Sequence, residues 1–130
     1  MNHFQSICHQ FGEILKGKPS VENGVCSVQL PRNFTAAIQG KQTKGALHAG
    51  FSFESLDAHG NALNLGEIAI LEEEIHGVIG SLQSNGILIS ALHNHWLFTN
   101  PSVLYLHFQS VEPPLSFAHK SAAAMKHLKY

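Results

Sequence analysis

The chain is short of charge, of arginine and of cysteine, and each shortage excludes a class of protein. Charged residues are only 13% of its 130 residues, Arg32 is the one arginine, and eight basic residues against nine acidic ones give a formal net charge of −1. Nucleic-acid binding needs a cationic footprint that displaces counterions from phosphates, and scattered lysines do not make one. Attraction to an anionic membrane surface is unsupported for the same reason. No stretch approaches the roughly 20 apolar residues of a transmembrane helix. The opening "MNHFQSICHQFGEILKGKPS" has no basic segment followed by an unbroken apolar run, the mark of a secretory signal. A cytoplasmic protein that binds neither nucleic acid nor membrane is the expectation, and in that compartment Cys8 and Cys26 are expected as free thiols. They form no Cys-x-x-Cys pair, and Cys8 falls on an apolar stripe where a small buried thiol is common.

Several catalytic signatures are missing as well. There is no His-Glu-x-x-His, no phosphate-binding loop, no Gly-x-Gly-x-x-Gly and no Gly-x-Ser-x-Gly elbow. The letters "HNH" at His93 to His95 do not make an HNH nuclease, which spreads its residues over a ββα unit with a basic face.

What the chain does have is apolar content, 44% of its residues, in a length that suits a single domain spanning 1–130. Phe4, Ile7, Cys8, Phe11, Ile14 and Leu15 lie on one helical stripe that should end at Gly17, with Lys16 in the last turn and Pro19 beyond. Extended segments are expected at Val25 to Leu30 and Phe34 to Ile38, split by Pro31. "GKQTKG", Gly40 to Gly45, reads as a polar loop. Two longer strands, about Ala46 to Ser55 and Ala62 to Ile70, should form a hairpin through "DAHGN". Ile75, Val78, Ile79 and Leu82 mark a second helix with Glu72, Glu73 and Glu74 in its first turn, favouring the positive end of the dipole, and Gly86 as its close. Strands at Ile87 to Leu97 and Val103 to Ser110 follow. A last helix opens on Pro113 and Pro114, with Leu115, Ala118, Ala122, Met125 and Leu128 inward. The sum is an α+β domain, a mostly antiparallel sheet packed with about three helices.

Ten histidines stand in this chain, a frequency at which about 0.8 His-x-His pairs arise by chance, so the bare tripeptide says little. Its setting says more. In a strand, residues two apart face one side, so His93 and His95 project together at ~7 Å between Cα atoms. A tight reversal centred on Asn100 and Pro101 would pair 97 with 103, 95 with 105 and 93 with 107, setting His107 opposite His93 at ~5 Å. Three imidazoles on one patch suit a divalent metal, with zinc the first choice, and leave a fourth position open. Glu74, at the start of the helix that runs back to this strand, is the carboxylate expected nearby, as acid/base, fourth ligand or orienter of an imidazole. Glu67 is its rival. His48 either reaches the same sheet face from its strand or is a structural histidine; Asn94 and Trp96 flank the ligands, and Trp96, Phe98 and Tyr105 either wall a pocket or belong to the core. Core or cleft imidazoles satisfied by backbone groups and Tyr105, and metal-free acid/base chemistry, are the competing accounts of the same three residues. Ser90 falls on the opposite strand face from His93, which weakens any Ser-His pair. His3, His9, His59, His76, His119 and His127 should face solvent.

"LGEIAILEEEIHGVIGSLQSNGILISALHNHWLFTNPSVLYLHF" resembles the bacterial domain family of unknown function named for the LppY and LpqO lipoproteins. The likeness rests on Gly66 with its following acid, the Glu-hydrophobic pair opening the helix at Glu74, the "ALHNH" strand, Pro101 and the "LHF" strand ending at Phe108. It implies weight on Glu74, His93, Asn94, His95, Pro101 and His107, and no activity. The chain departs from many members in showing no lipoprotein signal. At motif level, His-x-His with a later His also looks like the zinc sites of acetolactate decarboxylase and of the plant and prokaryote conserved domain, an analogy that implies a metal polarising a small carbonyl or carboxylate substrate. Three functions follow as expectations: a lyase- or hydrolase-like metalloenzyme acting on a small metabolite, a non-catalytic module that binds a metal or small ligand, or a structural domain that self-associates as a homo-oligomer.

Overall fold

The computed structural model describes residues 2–130. Helix α1 (His3–Leu15) leads into strands β1 (Pro19–Glu22), β2 (Val25–Pro31), β3 (Ala36–Ile38), β4 (Lys41–Thr43), β5 (His48–Glu54) and β6 (Ala62–Leu71); α2 (Glu72–Ser84), β7 (Leu88–His93), β8 (Thr99–Asn100), β9 (Val103–Glu112) and α3 (Pro114–Met125) complete the chain. The fold is α+β. Six strands in the order β1-β2-β5-β6-β9-β7 form one antiparallel sheet, and β4-β3-β8 form a second, smaller one. Strand β9 lies between β6 and β7, so the β6–α2–β7 crossover spans the strand that comes after it in the chain.

Alternation along the strands decides which face is covered. Cys26, Val28, Phe51, Phe53, Ile68, Ile70, Leu106 and Phe108 point to the helices and meet Phe11, Val78, Leu82 and Phe117 in the main core. Gly66 opposes Phe108, and a Cβ on Gly66 would lie 2.2 Å from that ring, so glycine is what lets the phenyl group cross its neighbour strand. The intervening residues of the same strands, Ala69, Leu71, Val103 and Tyr105, face away and join Ala36 and Leu47 in a second cluster under the small sheet. Only one end of this second face is roofed in that way. The other end stays open.

Several expectations change. The predicted polar loop at Gly40 to Gly45 contains β4, and the predicted strand from Phe34 shrinks to β3; both belong to the small sheet, as does β8. Strand β1 and the two-residue β8 were not anticipated. Helix α1 ends on Lys16, which itself takes the left-handed conformation (φ 61°), in place of Gly17. The buried face of α3 is Phe117, Ala118, Ser121 and Ala124, displaced from the expected stripe, with Leu115, Met125 and Leu128 at its margin. The six histidines expected at the surface are exposed, and the hairpin through Asp57 forms, its carboxylate accepting from the backbone N–H groups of His59 and Asn61.

The largest correction concerns the cysteines. Cys8 and Cys26 form a disulfide beneath α1, between residues 18 apart in sequence. The expectation of free thiols rested on a compartment, whereas the packing of α1 on β2 brings both sulfurs to one buried spot. A ring of this size removes loop-closure entropy from the unfolded chain. Replacing both cysteines by alanine is therefore expected to lower the unfolding free energy by about 3 kcal/mol, measured by urea denaturation without reductant.

Candidate metal centre

Strand β7 is the edge of the large sheet, and its pairing with β9 shifts register between Ile89 and Ala91. Leu88 opposes Gln109 and Ile89 opposes Phe108; then, past the extra residue Ser90, Ala91 opposes His107 and His93 opposes Tyr105. A bulge inverts the alternation on its own strand. Because of it, Ile89 reaches the core while His93, four residues on, stands on the open face with His107. The expected pairing of His93 with His107 is thus displaced by two residues: His107 has Ala91 across from it on one side and Glu67 on the other.

The tight reversal at Asn100 and Pro101 is replaced by a longer connection. Strand β7 stops at His93, so His95 is not a strand residue but sits in the following loop. Its position is fixed from the other side. Strand β8 pairs with β3, and the N–H of Gln39 donates to the carbonyl oxygen of Phe98 at 2.9 Å, tying the loop to the small sheet.

Three imidazoles meet there. The ring of His93 stacks on that of His107 with centroids 4.9 Å apart and 24° between planes, and His95 meets His93 edge-on at 4.4 Å. One nitrogen from each residue lies within 4.8 Å of the other two. His93 Nδ1 lies 3.3 Å from the carbonyl oxygen of Asn94, which suits a proton on Nδ1 and leaves Nε2 with a free lone pair. His107 Nε2 is buried and has no hydrogen-bond partner among the described residues. Tyr105 does not supply one, because its hydroxyl donates to the carbonyl oxygen of Ala46 at 2.8 Å while its ring packs 4.6 Å from His95. Burial pushes the Tyr105 phenol above its ordinary value, so it serves as a neutral platform between the small sheet and the histidines.

The other predicted residues separate. Glu74 is buried against Arg32: its Oε2 accepts from Arg32 Nη2 at 2.7 Å and from the N–H of Lys129 at 2.6 Å, and its Oε1 accepts from the N–H of Leu71 at 2.9 Å. Both oxygens are committed to structure, and Glu74 is outside the group of converging ligands. The geometry places it at the start of α2 holding the C-terminal segment, a role visible only once Arg32 is brought beside it. Glu67, by contrast, is the cross-strand partner of His107. His48 lies on the open face, toward the roofed end, and is not in the ligand group. Asn94 is exposed, Trp96 is half exposed and Phe98 is 74% exposed, so of the three aromatic residues only Tyr105 is core.

Ser90, set aside by strand alternation, and the floor beside it belong to the same face. The bulge brings Ser90 next to His107 on a shallow depression of about 340 Å³ that also includes Gln29, Ser52, Glu67 and Gln109. The placement of Ser90 on the face opposite His93 assumed an unbroken strand.

Fold and site together define a small α+β protein that gathers three imidazoles beside an open sheet face. Residues 9–127 match the family described as Domain of Unknown Function (DUF1259), and the chain belongs to that family. Comparison with curated proteins and with solved structures found no match.

Proposed function

We propose that the protein binds a divalent metal ion through His93, His95 and His107 and presents it to a small oxygen-bearing molecule. The observation that carries this reading is the convergence of one nitrogen from each of three imidazoles within 4.8 Å, at a histidine, His107, whose Nε2 is buried without a hydrogen-bond partner among the described residues. A buried polar atom without a partner is costly in a native fold, and a metal ion shared with the two neighbouring imidazoles resolves that cost for His107. Nitrogens around a tetrahedral zinc stand about 3.3 Å apart, so small ring rotations bring these donors into range. Three protein ligands leave a position for an outside molecule, and the ion supplies Lewis-acid polarisation of an oxygen there.

The chain's own contribution is placement and proton handling. His93 is oriented by the carbonyl of Asn94, and His107 is held between two neighbouring strands. Glu67, across from His107 on the open face, replaces Glu74 in this proposal as the carboxylate that accepts or returns a proton. Imidazole ligands suit zinc, copper, nickel and iron alike; zinc is the first choice. The affinity with LppY/LpqO-type lipoprotein domains is kept as part of the proposal. The Cys8–Cys26 disulfide agrees with it, since such bonds persist in oxidising compartments outside the cytoplasm.

The test is elemental analysis of untagged protein beside the His93→Ala/His107→Ala double variant, with folding verified by circular dichroism. Near-stoichiometric metal in the wild type, lost in the variant, is the expected result. No metal in the wild type after incubation with zinc, nickel or copper overturns the proposal.

A further inference from the structure

The small sheet roofs one end of the face that carries His107. Across the uncovered end runs a row of cross-strand partners: Gln29 with Gly50, Gly50 with Glu67, Glu67 with His107. We infer that this uncovered end is a binding site for a neutral, hydroxyl-rich small molecule of monosaccharide size, lying along the row with one oxygen beside His107. The inference deepens the metal proposal and rests on it only for the placement of that last oxygen.

Four observations select this ligand class. The first is the donor and acceptor set: Ser27, Gln29, Ser52, Ser90 and Gln109 line the depression, and hydroxyls and primary amides both donate and accept. An alcohol does the same, so each contact can be satisfied in either sense. The second is charge. Glu67 is the one formally charged residue in the lining, with no lysine or arginine beside it, so in the metal-free protein a phosphate or carboxylate ligand would meet an uncompensated like charge.

The third is the choice of residues. Gly50 sits in the interior of β5, where glycine and serine are poor strand formers. A Cβ at Gly50 would lie 2.8 Å from Gln29 Nε2, so its absence lets that amide fold over the sheet. A merely solvated sheet face is better served by long or β-branched residues, whereas small ones at its centre keep a hollow. The fourth is size and shape. About 340 Å³ stands at the small end of the roughly 300–1,000 Å³ of ligand sites, room for one ring and not for a chain. Leu65, 40% exposed at the margin, offers an apolar surface to the C–H face of such a ring. His107 closes the row at its other end.

Amide NMR tests the site directly. Glucose, galactose and mannose, with glucuronate and glucose 6-phosphate as anionic counterparts, are titrated into metal-free and zinc-loaded protein and into the His93→Ala/His95→Ala variant. Saturable shifts at Gly50, Ser52, Glu67 and Gln109 with at least one neutral sugar are expected in all three preparations, with the anionic counterparts weaker in the metal-free protein and in the variant. Gly50→Val, which pushes the Gln29 amide from its place over the sheet into the depression, and Gln109→Leu, which keeps its volume but removes its hydrogen bonds, should each weaken binding by about tenfold. No saturable shift with any neutral sugar, tighter binding of an anionic one to the metal-free protein, or unchanged affinity in folded Gly50→Val and Gln109→Leu overturns the inference. Failure of the metal proposal looks different: wild-type protein takes up no zinc, yet the sugar-dependent shifts are present.

Discussion

Arg32→Met should lower the unfolding free energy by about 3–5 kcal/mol, the usual cost of stripping one partner from a buried ion pair. Arg32 and Glu74 are 5% and 1% exposed, so a carboxylate left without its guanidinium would be an uncompensated buried charge. More than the pair is lost. Arg32 Nε also donates to the carbonyl oxygen of Tyr130 at 3.1 Å, its Nη1 donates to that of Ala69, and its guanidinium lies 4.9 Å from the centre of the Phe34 ring. One side chain thereby ties the segment before β3, the end of β6, the N-terminus of α2 and the chain's final residue.

The same pair carries a pH signature. Burial by itself would raise the Glu74 carboxyl, but the hydrogen bonds from Arg32, Lys129 and Leu71 and the arginine's charge outweigh it and hold the group below its ordinary value of 4.5. A carboxylate with a depressed folded pKa adds stability that is present above the unfolded value and is lost as pH falls through the folded one. Stability should therefore drop as pH is lowered below about 4.5, and Glu74→Gln should flatten that dependence while lowering stability at neutral pH. Glu112, held down against burial by Lys120, Ser110 and Ser116, contributes with the same sign, so some acid sensitivity survives in the Glu74 variant. Urea denaturation at pH 7 and at pH 4 checks both statements. An Arg32→Met protein within 1 kcal/mol (about a fivefold change in the folding constant) of wild type would contradict the first.

The α+β class and most long elements were legible because a 3.6-residue or two-residue apolar period runs through them. Ile75, Val78, Ile79 and Leu82 identify α2, and the β5–β6 hairpin follows from two alternating segments around Asp57. The small sheet was not legible. Its strands are two or three residues long, too short to show a period, and they exist because the second face of the large sheet needs a roof over Ala69, Leu71, Val103 and Tyr105. The histidine cluster was readable from His93, His95 and His107 themselves, although the assumed register was displaced by two. Two compensating departures produce the convergence: the bulge at Ser90 turns His93 onto the open face, and the anchored loop carries His95 back to it. Glu74 was expected beside the histidines from chain order, whereas the structure seats it against Arg32 and outside the histidine group. Arg32 lies 42 residues earlier in the sequence and no periodicity points from one to the other. The same limitation hid the Glu67–His107 pairing, which depends on β9 inserting between β6 and β7.

Zinc should stabilise the wild-type protein strongly and His107→Ala not at all. The proposed ligands come from the end of β7, the loop after it and the middle of β9, so the unfolded chain does not hold them together and ion binding is linked to folding. At free zinc about 1,000-fold above the dissociation constant, the linkage adds about 4 kcal/mol, a gain visible as a rise of the thermal midpoint that EDTA reverses. His107→Ala removes the buried donor and one third of the ligand set, and should melt at the same temperature with and without zinc. Glu74→Gln provides the contrast that separates the two buried polar clusters: it should begin from a lower midpoint yet show the full zinc-dependent rise, because its carboxylate serves Arg32 and the backbone and does not face the histidines. Glu67→Gln should also retain most of the rise, since in the proposal this carboxylate handles a proton and does not ligate. A zinc-dependent rise that persists in His107→Ala would place the ion elsewhere on a histidine-rich surface. A rise lost in Glu74→Gln would return that residue to the site from which the structure separates it.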